Sequence, residues 1–165
     1  MDDSIDKTLK AAAVIVVTLL VMLVCFIAGA ASAFGGILWL GEPPDDVVLT
    51  IHTPEQVEVG EDVLIEVIVK NNSTQPTEFT RIDISTGYLD GIDISSSAPA
   101  FESTVEGESL GLVYRTYYFY QDIAPGESLT VTLEGKAGAE GNYAGEIDVW
   151  FGFGCFNNIF QTIVR

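Results

Sequence analysis

Histidine is almost absent: His52 is the only one in 165 residues. A zinc site takes three or four nitrogen and sulfur ligands and a blue-copper site takes two histidines with a cysteine, so this composition excludes both. Cysteine is scarce too. Cys25 lies in an apolar run and Cys155 near the C-terminus, in segments expected to stay apart, so no intramolecular disulfide staples the fold. Cys155 reads as a buried, inert thiol, with pairing to another chain as the alternative, and Cys25 reads as apolar filling. Basic residues number seven against 24 acidic ones, for a formal net charge of -17. Past the N-terminal head they are Lys70, Arg81, Arg115, Lys136 and Arg165, which cannot neutralise a phosphate track, so nucleic-acid binding is excluded.

A Ser-His-Asp triad would have to use His52, which strand alternation puts beside Thr50 and opposite the apolar Leu49 and Ile51; a solvent-facing strand histidine is the simpler reading. Carboxylate pairs abound in so acidic a chain and therefore carry no glycosidase signal without geometry. No catalytic residue and no cofactor is expected, and the chain reads as non-enzymatic.

What is present is a charge-free apolar run from Ala11 to Leu40. It exceeds the roughly 20 residues that a helix needs to cross the hydrocarbon layer. Lys7 and Lys10 precede the run, while Glu42, Asp45 and Asp46 follow it, so the rule that basic flanks stay inside puts the N-terminus in the cytoplasm. The organisation expected is a cytoplasmic head over 1–10, a transmembrane signal anchor over 11–40, a linker over 41–46 and an extracytoplasmic domain over 47–165. Ala31-Ser32-Ala33 is a small-x-small tripeptide and keeps a cleaved signal peptide open. Against cleavage, the apolar stretch is longer than a usual signal core, and Ile37, Leu38, Trp39 and Leu40 continue beyond the tripeptide. Glycines and alanines between Gly29 and Gly36 permit close helix approach, although such residues are common in membrane helices generally.

After Pro43-Pro44 the pattern changes to period two, over Val47–Thr53, Val63–Lys70, Phe79–Ile84, Ile92–Ser95, Tyr114–Tyr120, Leu129–Leu133, Tyr143–Phe151 and Ile159–Val164. Turn signals such as Asn71-Asn72-Ser73, Asp90-Gly91 and Ala124-Pro125-Gly126-Glu127 separate them. About seven or eight short strands so punctuated predict a mainly β fold, a single antiparallel Ig-like β-sandwich behind one transmembrane α-helix. Val59-Gly60-Glu61 and Pro125-Gly126-Glu127 echo each other as turns that feed strands B and E, and Tyr143 falls where a tyrosine corner would open strand F.

Those same turns, with Gly141-Asn142-Tyr143-Ala144-Gly145, resemble the bacterial cell-adhesion-related (CARDB) and conserved-repeat Ig-like domains of prokaryotic surface proteins. The resemblance covers most of 47–165 and implies a surface, spacer or adhesion module with no catalytic residues. This chain departs from the usual context in placing one copy directly behind a membrane anchor.

Two groups of residues are candidates for function. Asp83, Asp90 and Asp93, with Glu102, Glu106 and Glu108, offer oxygen ligands of the calcium type, without EF-hand spacing; solvated acidic loops are the commoner outcome. Trp150, Phe153 and Phe156 surround a glycine-rich hairpin and read either as an interaction tip for a protein or glycan or as a cap over the sandwich end.

The expected molecule is a membrane-anchored surface protein, held in lipid by 11–40. Its alternatives are a pilin- or archaellin-like filament subunit with the apolar helix as fibre core, and an accessory single-pass subunit of a membrane complex, associated through its helix. Protease treatment of intact cells should release a β-rich fragment starting near Pro43-Pro44, and exposure of the head instead would reverse the topology.

Overall fold

The computed structural model describes residues 19–26, 42–109 and 111–165. The chain divides into an N-terminal unit, Met1–Gly41, and a C-terminal unit, Glu42–Arg165. In the first, residues 19–26 are helical, and Leu19 to Val24 and Phe26 are exposed. The head 1–10 and the rest of the expected span 11–40 lie outside the described residues. Among the described residues no helix is long and apolar enough to cross a membrane.

The C-terminal unit contains ten strands among the described residues: β1 (Val47–His52), β2 (Gln56–Val57), β3 (Asp62–Asn71), β4 (Thr77–Ser85), β5 (Ile92–Ala98), β6 (Ser103–Ser109), β7 (Leu112–Ile123), β8 (Ser128–Ala137), β9 (Gly141–Phe151) and β10 (Gly154–Val164). The pattern predicts eight at most, and β2 and β6 are the two it misses. A two-residue strand has no period. In β6, Val105 is the one large apolar residue and is itself 54% exposed, so neither face of this edge strand alternates.

The strands form two sheets, ordered β1-β3-β8-β5 and β2-β10-β9-β4-β7-β6. Pairing is antiparallel throughout, except where β2 runs parallel to β10. This is an Ig-like layout: β1, β3, β8 and β5 stand where A, B, E and D stand, and β10, β9, β4 and β7 where G, F, C and C′ stand. One difference is in chain order, since β5 precedes β6 and β7 rather than following them. Gly60 and Gly126, at φ 83° and 79°, turn the chain into β3 and β8, which are neighbours as strands B and E are.

Alternation makes the core. Val63, Ile65, Val67 and Val69 of β3 are buried, and each stabilises the fold by about 1.5–3 kcal/mol relative to an exposed position. Opposite them stand Ile82 and Ile84 of β4, Tyr117 and Phe119 of β7, and Ile147 and Val149 of β9. The register between β4 and β7 shifts between Phe79 and Arg81, beside Tyr120 at φ 49°. As a result Phe79 and Ile82, three residues apart, are both buried, and Phe79 meets the Phe119 and Phe151 rings at 5.4 and 5.9 Å.

A single helical turn, α1 (Thr86–Leu89), follows β4. Four residues show no helical period, and the sequence reads there as a turn. The ring of Tyr88 is fully buried, and its hydroxyl shares a 3.0 Å hydrogen bond with Thr162 Oγ1, which donates in turn to the Pro54 carbonyl at 2.7 Å. Gly145 makes room for this arrangement, because a Cβ there would strike Ser85 Oγ and come within 2.9 Å of Tyr88 Cβ.

Tyr143, near the start of β9, donates from its hydroxyl to the Ala139 carbonyl four residues upstream at 3.1 Å. Its ring is half-buried against the core and occupies the space that a side chain at Gly91 or Gly141 would need. Tyr143→Phe keeps the ring and removes the bond, so denaturant unfolding should show a loss of about 0.5–1 kcal/mol with the fold intact.

Candidate functional site

Inward residues of β4, β7 and β9 make the core, so their alternate residues share the outer face of the six-stranded sheet. Across it run three rows set by register. The first is Tyr118, Arg81, Trp150 and Cys155; the second Thr116, Asp83, Asp148 and Asn157; the third Tyr114 and Ser85 of β7 and β4, continued by Glu146 and Ile159. From these rows Arg81, Asp83, Tyr114, Glu146, Asp148, Trp150 and Asn157, with Leu112, line a depression of about 550 Å³.

The guanidinium of Arg81 lies 4.1 Å from the Trp150 ring centroid and donates from Nε to Asp83 Oδ2 at 3.3 Å. Asn157 donates to Asp148 Oδ1 at 2.6 Å and to Glu146 Oε2 at 3.5 Å, and Tyr114 donates to the same Glu146 oxygen at 2.8 Å. Two polar atoms of the depression are buried without a hydrogen-bond partner among the described residues: Asp83 Oδ1, an acceptor, and Trp150 Nε1, a donor. An unmet buried polar atom costs about 1–3 kcal/mol, so two residues lining the depression carry groups of opposite type, an acceptor and a donor, that nearby protein atoms leave unsatisfied.

The electrostatics are strained in the same place. Asp83 and Asp148 face each other directly on adjacent strands, a like-charge pair that destabilises a sheet. Burial pushes the Asp148 carboxyl above its ordinary value; Asn157 opposes this, while Asp83 and Glu146 add to it. The Tyr114 hydroxyl is pushed up to about 12, first by burial and then by its bond to Glu146. Burial, with Asp148 and Asp83 beside it, also raises the half-buried Cys155 thiol to about 12, which keeps it protonated and unreactive at neutral pH.

The sequence candidates fall in different places. Trp150 stands on the outer face under Arg81. Phe156 does not join it: its pairing with the buried Val149 turns it inward, half-buried and edge-on to Phe151 at 5.7 Å. Phe153 sits at the β9–β10 turn, 76% exposed. The three therefore form no single patch. Asp83, Asp90 and Asp93 also separate, the first on β4, the second after α1 and the third on β5 opposite Lys136 in the other sheet. Glu106 is on β6, bonded to Arg115 at 3.0 Å, rather than in a loop. Among the described residues no three His, Cys, Asp or Glu side chains are grouped so as to hold a metal ion. His52 is exposed at the end of β1. Sequence reasoning missed Arg81, Tyr114, Glu146, Asp148 and Asn157. Their signal was the polar half of each alternation, visible only once the strand pairing aligns the rows.

No protein-family profile matches the chain, and no curated protein matches it. Solved structures similar to it include the CARDB domain of PF1109 from Pyrococcus furiosus, determined in complex with di-metal ions, at 19% identity over 76% of this chain and 91% of that one, with a TM-score of 0.45. The sporulation control protein Spo0M of Bacillus subtilis is similar at 14% identity over 74% of this chain and 50% of that one, with a TM-score of 0.46. The cupredoxin domain of amoB from Nitrosocaldus yellowstonii follows at 10%, 74% and 89%, with a TM-score of 0.47.

The raised Asp148 carboxyl sets a pH dependence. Its folded form holds a proton more tightly than its unfolded form, so this group costs stability as pH rises above the ordinary value of 3.8 and ceases to do so below it. Asp148→Asn should therefore raise the melting temperature at pH 7, with the gain shrinking as pH falls through the raised folded value toward 3.8; a gain independent of pH would place the effect elsewhere.

Proposed function

We propose that this chain is a non-enzymatic, single-pass membrane protein of the cell surface or envelope. It presents an acidic Ig-like sandwich outside the membrane, and the outer face of the six-stranded sheet binds a hydroxyl-rich ligand of the glycan type. What carries the binding reading is the depression in which Asp83 Oδ1 and Trp150 Nε1 are both buried and unmet. A sugar hydroxyl both donates and accepts, so one ligand group pair satisfies the carboxylate and the indole together. Asp148, Glu146 and Asn157 add further acceptors and a donor around the same space. The membrane reading is supported by the charge-free stretch from Ala11 to Leu40 and by the exposed aliphatic side chains of helical residues 19–26.

The test uses the full chain in lipid nanodiscs, titrated with a panel of neutral oligosaccharides and read by calorimetry. Asp83→Asn should weaken binding by about tenfold or more, the worth of one hydrogen bond to a charged group, while relief of the Asp83–Asp148 repulsion offsets the lost ion pair with Arg81 and the fold is retained. Unchanged affinity in Asp83→Asn, or no saccharide bound at all, would refute the site.

A further inference from the structure

We propose that the end of the sandwich carrying Phe153 and Tyr120 seats on the surface of the lipid bilayer, so that these two rings fix the orientation of the domain over the membrane. The inference rests on the reading of 11–40 as a membrane anchor.

The placement follows from register. The β9–β10 turn is at the end where the chain enters the domain: Gly154 lies so close to the linker that a Cβ on it would come to 2.5 Å from the Glu42 carbonyl oxygen and 3.3 Å from Pro44 Cδ. Val47, the first residue of β1, pairs with Asn71, the last of β3; the Asn72 amide donates to the Asp46 carbonyl at 2.8 Å and the Gly126 amide to the Asn71 carbonyl at 2.7 Å. Glu42, Asn72, Gly126 and Phe153 thus belong to one end. Tyr120 lies toward the same end, three residues before the last residue of β7, Ile123, which stands opposite Thr77 at the start of β4.

In the sequence the apolar run ends at Leu40, and two residues reach from there to Glu42. Two residues span at most about 7 Å. An anchor ending at Leu40 therefore holds this end of the sandwich at the headgroups. There the domain exposes a Phe at 76% and a Tyr at 52%, rings that are costly to leave in water and that suit the membrane interface. Glu42, Asp45, Asp46, Glu78, Asp122 and Glu127 belong to the same end and are exposed, so they stay in water and limit the contact to the rings. A free protein partner would have to compete for this end with a bilayer already within reach.

The experiment places single tryptophans in the full chain, reconstituted in vesicles of phosphatidylcholine with bromines on the acyl chains, which quench nearby indoles. Phe153→Trp, and Tyr120→Trp as a second reporter, are each made together with Trp39→Phe and Trp150→Phe. Val59→Trp in the same background is the control, since Val59 is exposed at the opposite end, where its amide bonds to the Arg165 carbonyl. The expected result is loss of emission and a blue shift for Phe153→Trp and Tyr120→Trp and neither for Val59→Trp. A chain keeping only Trp39, made by Trp150→Phe, reports on the anchor itself. Quenching of Trp39 with no quenching at positions 153 and 120 would overturn the seating and leave the anchor standing; no quenching of Trp39 would overturn both.

Discussion

The register shift between Phe79 and Arg81 is the constraint on which core and candidate site both depend. A strand with unbroken alternation would put Phe79, Arg81 and Asp83 on one face and Thr80, Ile82 and Ile84 on the other. Either the Phe would be lost from the core or the Arg and Asp would be forced into it, and a buried unpaired charge is far too costly. The shift changes the parity once. Phe79 then completes an aromatic contact with Phe119 and Phe151, while Arg81 and Asp83 reach the outer face beside Trp150 and Asp148. Tyr120 takes the left-handed conformation at the same place, unusual for a large side chain, and stacks on Tyr118 at 5.6 Å.

How much of this is legible in the sequence depends on which half of an alternation one looks at. The apolar half is strong: Val63, Ile65, Val67 and Val69 announce β3, and all eight alternating segments are strands, seven of them extended by the structure at one or both ends and the first, β1, one residue shorter. The glycine turns at Gly60 and Gly126 mark β3 and β8 as the adjacent B and E strands, since a positive φ before a strand is a local requirement that a local motif satisfies. Strand β6 is illegible because an edge strand with both faces in water needs no pattern. The inward turn of Phe156 is illegible for another reason: alternation alone does not say on which side of a glycine hairpin the count restarts, and only the pairing with Val149 fixes it. The site itself is the least legible part. Arg81, Asp83, Glu146, Asp148 and Asn157 are ordinary polar residues in three strands, and nothing but the cross-strand register makes them neighbours.

The distribution of charge across that register argues that the outer face is not arranged for stability alone. A chain with seven basic and 24 acidic residues to place can pair carboxylates with cations in solvent, as Lys136 does with Asp62 at 2.7 Å. Instead Asp83, Asp148 and Glu146 are set around one depression at the centre of the sheet, with Arg81 as the cation that touches it. Arg81 stacks on the indole and bonds one oxygen of Asp83, which leaves the other oxygen and the indole N–H unmet. A guanidinium only donates, so Arg81 stacked on the indole leaves that N–H without an acceptor. The face therefore keeps one acceptor and one donor unpaired among the described residues, on two of the residues that line the depression. Polar groups pre-organised on paired strands lose little further entropy when a ligand meets them, and that is the physical basis of the binding proposed for this face.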